Sequence, residues 1–244
     1  MAVSQRRELE VKFKVGITTD VFVPYRKTLI AKGFVLLEKR LETDFLPDTS
    51  DSLCKQNKLL LRIRHIVTQD SERWLLTLKR RLHHEQYQDH EETETLFDNP
   101  DLATFEHINQ VLFSSVKAGI NPKLLMLSDL YDIRADLCSS GFSRVRILID
   151  KYREKYDKDG LHVTLDFFPN GMGAFMELEA FEEKQIANLI VELGFEKKKI
   201  IVDDYGDLLK QYNANKPFDE VRVGLFSEYE RKRLINHARD QHNF

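Results

Sequence analysis

Glu8, Glu10 and Lys12 alternate with Leu9, Val11 and Phe13 near the start of the chain. Successive side chains of an extended strand point to opposite faces, so one face carries two carboxylates and an ammonium. The other face is apolar. Carboxylate oxygens are hard donors suited to Mg2+ or Mn2+, and cationic side chains suit phosphate oxygens. The alternation recurs with both signs of charge: Arg62 and Arg64, Lys79 and Arg81 beside Thr77, Glu92 and Glu94, Arg144 and Arg146, Asp166, then Glu177 and Glu179. The residues between them, such as Leu61, Ile63, Leu76, Leu78, Val145, Ile147, Val163, Leu165, Met176 and Leu178, are apolar.

For any one strand, a solvated face is the simpler account. Two features of the set favour another. Arginine is used heavily, and its planar fork suits bidentate phosphate or carboxylate contact better than it suits a plain solvated surface. Every strand also has an apolar face that an amphipathic helix can cover. If the sheet closes, its charged face becomes a lumen. Seven basic side chains (Lys12, Arg62, Arg64, Lys79, Arg81, Arg144, Arg146) and seven acidic ones (Glu8, Glu10, Glu92, Glu94, Asp166, Glu177, Glu179) would line it. Unpaired buried charges cost several kcal/mol each, so such a lumen is a hydrated tunnel rather than a dry core. It suits a ligand with several negative charges together with a divalent metal.

The elements that must position these residues follow from the pattern. Strands are expected over 6–14, 34–46, 58–68, 74–82, 90–97, 144–155, 161–168 and 175–181. Helices are expected over 18–32, closed by Gly33, from 98 to about 112, over 182–193, closed by Gly194, over 204–212, and over roughly 219–240. Residues 120–140 read as helical or irregular. Asp157-Lys158-Asp159-Gly160 and Pro169-Asn170-Gly171-Met172-Gly173 read as turns between strands.

The chain has 244 residues and a net charge of −3, with 32% charged residues, so a sequence-wide basic surface for nucleic acid is not indicated. Cys54 and Cys138 are far apart and in no metal-ligand spacing. They read as free thiols of a reducing compartment. With no apolar signal core and no membrane-length apolar run, a soluble cytoplasmic protein is expected. A P-loop, a dinucleotide fingerprint, zinc spacing and Gly-x-Ser-x-Gly are absent. His83, His84 and His90 near Glu85 fall in an expected hairpin turn and make a poor transition-metal site.

These residues resemble the CYTH domain of the triphosphate tunnel metalloenzymes. Glu8-x-Glu10-x-Lys12 is similar to that family's ExExK signature. The later pairs fall in the family's order: Arg62-x-Arg64, Thr77-x-Lys79, Glu92-x-Glu94, Arg144-x-Arg146, Asp166, Glu177-x-Glu179. Tyr205-Gly206-Asp207-Leu208-Leu209 resembles its C-terminal Tyr-x-x-Leu-Leu element. The resemblance covers about residues 6–212. It departs at His90, where the family often has arginine, and in the longer stretch from about 95 to 140.

The resemblance implies an α+β, mainly β fold: a closed antiparallel eight-stranded barrel with helices outside. A tunnel domain over 1–212 would carry a helical insertion at about 98–140, followed by a helical extension over 213–244 that caps the barrel or forms a dimer contact. It implies a divalent-metal-dependent triphosphatase, monomeric or homodimeric, acting on inorganic tripolyphosphate or on thiamine or nucleoside triphosphate. The alternatives are a class IV adenylate cyclase and a non-catalytic polyphosphate-binding module. By carry-over, Glu8, Glu10 and Lys12 are the expected catalytic residues. Lys12, Arg62, Arg64, Lys79, Arg81, Arg144, Arg146 and one of Lys197–Lys199, with Lys199 preferred, would bind phosphate. Glu8, Glu10, Glu94, Asp166, Glu177 and Glu179 would hold Mg2+ or Mn2+.

Overall fold

The computed structural model describes residues 6–68, 70–82, 88–217 and 220–239, the side chains of Arg6, Arg7, Glu8, Lys198 and Arg239 excepted. Its eight long strands are β1 (Arg6–Gly16), β2 (Val35–Asp48), β3 (Leu59–Val67), β4 (Glu72–Arg81), β5 (Gln88–Leu96), β6 (Arg144–Lys158), β7 (Leu161–Phe168) and β8 (Gly173–Ala180). They run in the order β2-β3-β4-β5-β1-β8-β7-β6, every pairing antiparallel, and β6 pairs again with β2. That last pairing closes the sheet into a ring. It leaves no exposed edge along the β2–β6 seam.

Local chemistry sets the turns. Asp159 and Gly160 both have positive φ, 52° and 78°, and join β6 to β7 in a two-residue loop whose twist matches the strands. Gly33, at φ 84°, ends helix α1 (Phe22–Ala31), and Phe34 N donates back to Leu29 O at 3.0 Å.

The outer faces of the strands hold the main cores. One joins Leu9, Val11, Leu165, Met176 and Leu178 to α1 and helix α5 (Glu183–Glu192), with helix α7 (Glu228–Arg239) contributing Leu234 and Ala238. The other joins Phe45, Leu61, Ile63, Leu76 and Leu78 to helices α3 (Leu102–Val116) and α4 (Leu130–Ser139), and to Cys54 of the short α2 (Leu53–Gln56). These two cores are thus buried outside the ring, and Glu10, Lys12, Arg62, Arg64, Lys79 and Glu177 face inside it. Among the described residues no helix is long and apolar enough to cross a membrane.

Four expectations need correction. Strand β2 runs on to Asp48, past the expected end at 46, and the short α2 follows where no element was expected. Helix α3 begins at Leu102 rather than at 98, capped by Asp101, which accepts from Ala103 N at 3.2 Å. The tail is not one helix from 219: a two-residue strand β9 (Val223–Gly224) pairs in parallel with Leu148–Ile149 before α7 begins at Glu228. The tail then packs on the ring, with Arg231 Nη1 2.7 Å from Oδ1 of the fully buried Asp150. The fourth correction lies in β6 and bears on the site.

Candidate active site in the lumen

The ring encloses a cavity of about 1160 Å³, lined from Arg73 to Arg81 along β4. Register decides what faces it. Glu10 pairs with Glu179 and Lys12 with Glu177 across β1 and β8. Thr77 pairs with Arg62 on one side and Glu94 on the other, and Lys79 with Glu92. Asp44 pairs with Arg64, Glu42 with Lys151, and Arg40 with Arg153.

The charges are sorted around the ring. Neighbouring strands β5, β1, β8 and β7 bring Glu92, Glu94, Glu10, Glu177 and Glu179, with Asp166 buried behind them, and Lys12 is the one inward cation of the central pair among the described side chains. Neighbouring strands β6, β2, β3 and β4 bring Lys151, Arg153, Arg40, Arg62, Arg64 and Lys79, which outnumber the Glu42 and Asp44 carboxylates that β2 sets among them. An acidic arc therefore faces a basic arc across one cavity.

On the basic arc, Arg64 donates through Nε and Nη2 to the two Asp44 oxygens at 2.5 and 2.7 Å, and its Nη1 lies 3.2 Å from Glu42. Burial raises the Asp44 carboxyl, but Arg64 outweighs it and holds the group at about 2. Lys151 Nζ is 2.8 Å from Glu42. Burial, then Arg153 and Arg64, lower its ammonium to about 8. Arg153 forks onto both Asp166 oxygens at 2.6 and 2.5 Å and reaches Glu177 at 3.0 Å. Glu92 joins the arcs, 3.1 Å from Arg62 and 2.7 Å from Lys79. It is held at about 2 because these two cations outweigh burial.

On the acidic arc, Glu10 is 3.5 Å from Lys12 Nζ and 3.6 Å from His90 Nε2. Burial works to raise its carboxyl, yet Lys12, His90 and Lys79 hold it well below the usual range. Glu177 goes the other way. Burial first and the charge of Glu10 second push it up to about 8, against the pull of Arg153 and Lys12.

Helix α6 (Tyr205–Tyr212) closes against one mouth. The Tyr205 hydroxyl lies 3.1 Å from Asp166 Oδ2 and 3.3 Å from Glu177 Oε2, and the Lys12 ammonium is 5.1 Å from its ring centroid.

The CYTH domain family model matches residues 6–194, most of the chain. The chain belongs to the CYTH family. Solved structures share the fold at low identity. A Pyrococcus horikoshii protein is 21% identical with a TM-score of 0.60, over 84% of this chain and 98% of that one. A Vibrio parahaemolyticus protein described as a candidate adenylate cyclase is 19% identical, TM-score 0.55, over 84% and 98%. A candidate adenylyl cyclase from Hippeastrum, described as having a dominant triphosphatase activity, is 18% identical, TM-score 0.52, over 87% and 97%. None of the curated proteins matches significantly.

This CYTH lumen brings together Glu10, Lys12, Arg62, Arg64, Lys79, Glu94, Glu177 and Glu179. Arg81 and Arg146 line its mouth, Arg146 donating to Leu59 O at 3.4 Å. The Glu8 side chain lies outside the described residues, although its backbone pairs with His90. Asp166 is fully buried behind Arg153 and Tyr205, so it orients those groups rather than facing a ligand.

Two expected phosphate ligands fall elsewhere. Arg144 donates to Ser52 Oγ and does not line the cavity. It lies at the end of β6, beyond a register shift at which Leu46 pairs with Ile147 but Pro47 with Val145. The shift leaves Arg146 as the extra residue, so Arg146 and Ile147 both line the cavity; Ile147 and Ile149 pack with Leu208 and Leu209 of α6, and Lys151 and Arg153 follow on the inward face. Lys199 is exposed and paired with Glu196 at 2.8 Å, away from the cavity. His83, His84 and Glu85 lie outside the described residues, while His90 belongs to β5 and faces the lumen.

The sequence reading missed Arg40, Glu42, Asp44, Lys151 and Arg153. Their signal was present: Glu38-x-Arg40-x-Glu42-x-Asp44 and Lys151-x-Arg153-x-Lys155 alternate as ExExK does.

CYTH triphosphate tunnel enzymes use divalent metals. Among the described residues no three His, Cys, Asp or Glu side chains form a preformed metal cluster. The donors still fit a hard cation. Glu10, Glu177 and Glu179 sit on adjacent strands, and the raised Glu177 marks an excess of acid that a cation would relieve. Mg2+ is commonly held by one or two carboxylates plus phosphate oxygens and waters, without a full protein cage.

Proposed function

We propose that this lumen hydrolyses the terminal phosphate of inorganic tripolyphosphate or of an organic triphosphate, with Mg2+ or Mn2+. The supporting observation is the division of one cavity into a basic and an acidic arc. A triphosphate lies against Arg62, Arg64, Lys79, Lys151 and Arg153, whose charges match its oxygens. Glu10, Glu177 and Glu179 would hold the metal opposite. When bound, the metal supplies neutralisation of phosphate charge and activation of water.

The protein's own contribution is positioning. Asp44 and Glu42 fix Arg64, and Asp166 fixes Arg153, so the guanidinium groups need little reorganisation as charge develops on the transferring phosphoryl group. The closed wall limits bulk water, which strengthens these interactions. Lys12 stands in the middle of the acidic arc, 3.5 Å from Glu10, where its ammonium would meet a phosphate held beside a metal carboxylate. Burial and the charge of Glu10 push Glu177 up to about 8, so it would give up its proton in holding a cation.

Product analysis with tripolyphosphate, thiamine triphosphate and ATP, each with Mg2+, Mn2+ or EDTA, tests this reading. Metal-dependent orthophosphate release is the expected result. Cyclic AMP with pyrophosphate from ATP would instead establish a cyclase. Binding of tripolyphosphate without any product would establish a binding module.

A further inference from the structure

The ring wall is paired unevenly along β6. Strand β2 follows β6 from Asp157 to Arg144, whereas pairing with β7 stops at Tyr152 and Phe167. From Arg144 to Lys151, β6 thus has β2 as its one long-strand partner among the described residues. The tail fills part of the open side. Leu148 N donates to Arg222 O at 3.0 Å, and β9 pairs Val223 and Gly224 with Leu148 and Ile149. Backbone groups on an open side need such partners, and a strand held on one side alone is easier to shift. The family match ends at residue 194, so this partner comes from outside the matched region.

Just past β9 the tail grips the outer face of the β2–β6 seam. Thr43 of β2 pairs with Asp150 of β6, and its Oγ1 donates to Asp150 Oδ1 at 2.6 Å. Arg231 Nη1 of α7 donates to the same carboxylate oxygen at 2.7 Å and to Thr43 Oγ1 at 3.0 Å. Phe226 N donates to Asp150 Oδ2 at 3.1 Å. Asp150 is fully buried, so water cannot replace these donors without the tail first lifting away.

The next residue on each strand faces the lumen. Glu42 and Lys151 pair across the same seam, with Lys151 Nζ 2.8 Å from Glu42. Successive side chains of a strand point to opposite faces, so a grip on Asp150 from outside fixes the backbone that carries Lys151 inside. Arg153 needs no such help, because its backbone pairs with Asp166 of β7 as well as with β2.

We infer that the tail clamps the lumen wall: Arg231, together with Phe226 N, holds Asp150 and thereby positions Lys151. Arg231 is a positioning residue and touches no ligand itself. The anchoring of β6 stands on this geometry. Its effect on phosphate rests on the reading of Lys151 as a phosphate ligand given above.

Two measurements test the clamp. Hydrogen exchange without ligand, followed by mass spectrometry, reads the strand itself. Arg231→Met should speed exchange in residues 147–151 about tenfold, while 153–158, which β7 covers, changes less than about twofold. Calorimetric binding of tripolyphosphate without metal reads the consequence. Arg231→Met should weaken it about tenfold, Arg231→Lys should recover it to within about threefold, and Arg231→Met added to Lys151→Met should cost less than about threefold more. Should Arg231→Met melt too early to be measured, Arg231→Gln takes its place, with a loss of about threefold or more expected. Ile133→Ala, which empties core space under α4 and leaves the side chains of the seam intact, is the control for stability. It should lower Tm yet leave affinity and the exchange of 147–151 within about twofold.

Unchanged exchange in 147–151, or full tripolyphosphate affinity despite faster exchange, would overturn the inference. So would an equal loss of affinity in Ile133→Ala, or a loss undiminished in the Lys151→Met background. A wild type that binds no tripolyphosphate would sink the phosphate reading alone, and the exchange pattern would then decide the clamp.

Discussion

Asp44→Asn removes one charge from the forked Arg64–Asp44 pair of the basic arc and nearly conserves volume. Asp44 is 7% exposed, and Arg64 depresses its carboxyl to about 2 from an ordinary value of 3.8. A depressed carboxylate contributes stability that is present above its unfolded pKa and lost as pH falls through its folded one. The shift corresponds to about 2 kcal/mol at pH 7, falling to roughly half of that near pH 3. Urea unfolding of wild type and variant at pH 7, 5 and 3 reads the difference directly. A carboxyl titration followed by NMR should place the Asp44 midpoint near the low value. The complementary change, Arg64→Met, leaves Asp44 and Glu42 buried without their shared partner and should cost about 3–5 kcal/mol. Combined with Asp44→Asn it should cost less than the sum of the two single changes. A loss in Asp44→Asn that is as large at pH 3 as at pH 7 would refute the reasoning, because it would come from packing rather than from charge.

Lys151 is charged below about 8. Tripolyphosphate affinity should therefore fall about tenfold as pH rises past that value, while Lys151→Met removes this limb and shows weak binding throughout. A variant that keeps the wild-type pH profile would remove Lys151 from the phosphate grip. Glu10→Gln, and likewise Glu8→Gln, should cut metal-dependent orthophosphate release at least a hundredfold while metal-free tripolyphosphate binding persists; unchanged turnover would sink the metal assignment. Gly173 starts β8 at φ 90°, and a Cβ there would stand 2.5 Å from the Gly16 carbonyl oxygen. Gly173→Ala should therefore lower stability by about 2–3 kcal/mol, visible as a lower Tm, and a melt equal to wild type would contradict the close approach of β8 to β1.

Much of this lumen was legible as alternation. Period two divides charged from apolar side chains whatever lies beyond the strand, so Glu10, Lys12, Arg62, Arg64, Lys79, Glu177 and Glu179 could be assigned to one face before any pairing was known. Asp159-Gly160 could be read as a tight turn because positive φ is tolerated there. The same rule misled in β6. Arg144 and Arg146 alternate as cleanly as Lys151 and Arg153, but the shift at Leu46/Pro47 changes the parity at Arg146, so Ile147, Ile149, Lys151 and Arg153 line the cavity along with Arg146 while Arg144 does not. A bulge depends on the partner strand as well as on its own residues, so local pattern does not place it. Lys199 misled for a related reason: a run of three lysines offers no period, and its place was set by the chain's return to β1, where Ile201 N donates to Lys12 O at 2.9 Å.

The order of residues is enough to say that strands with one charged and one apolar face exist, and which side chains share a face, because both follow from backbone geometry. That the charged faces look inward came from the β2–β6 closure, and that acids and bases gather on opposite arcs came from the pairing of distant strands. Strand order around a ring is set by long-range contacts, and the field a ligand meets is the sum over all eight strands.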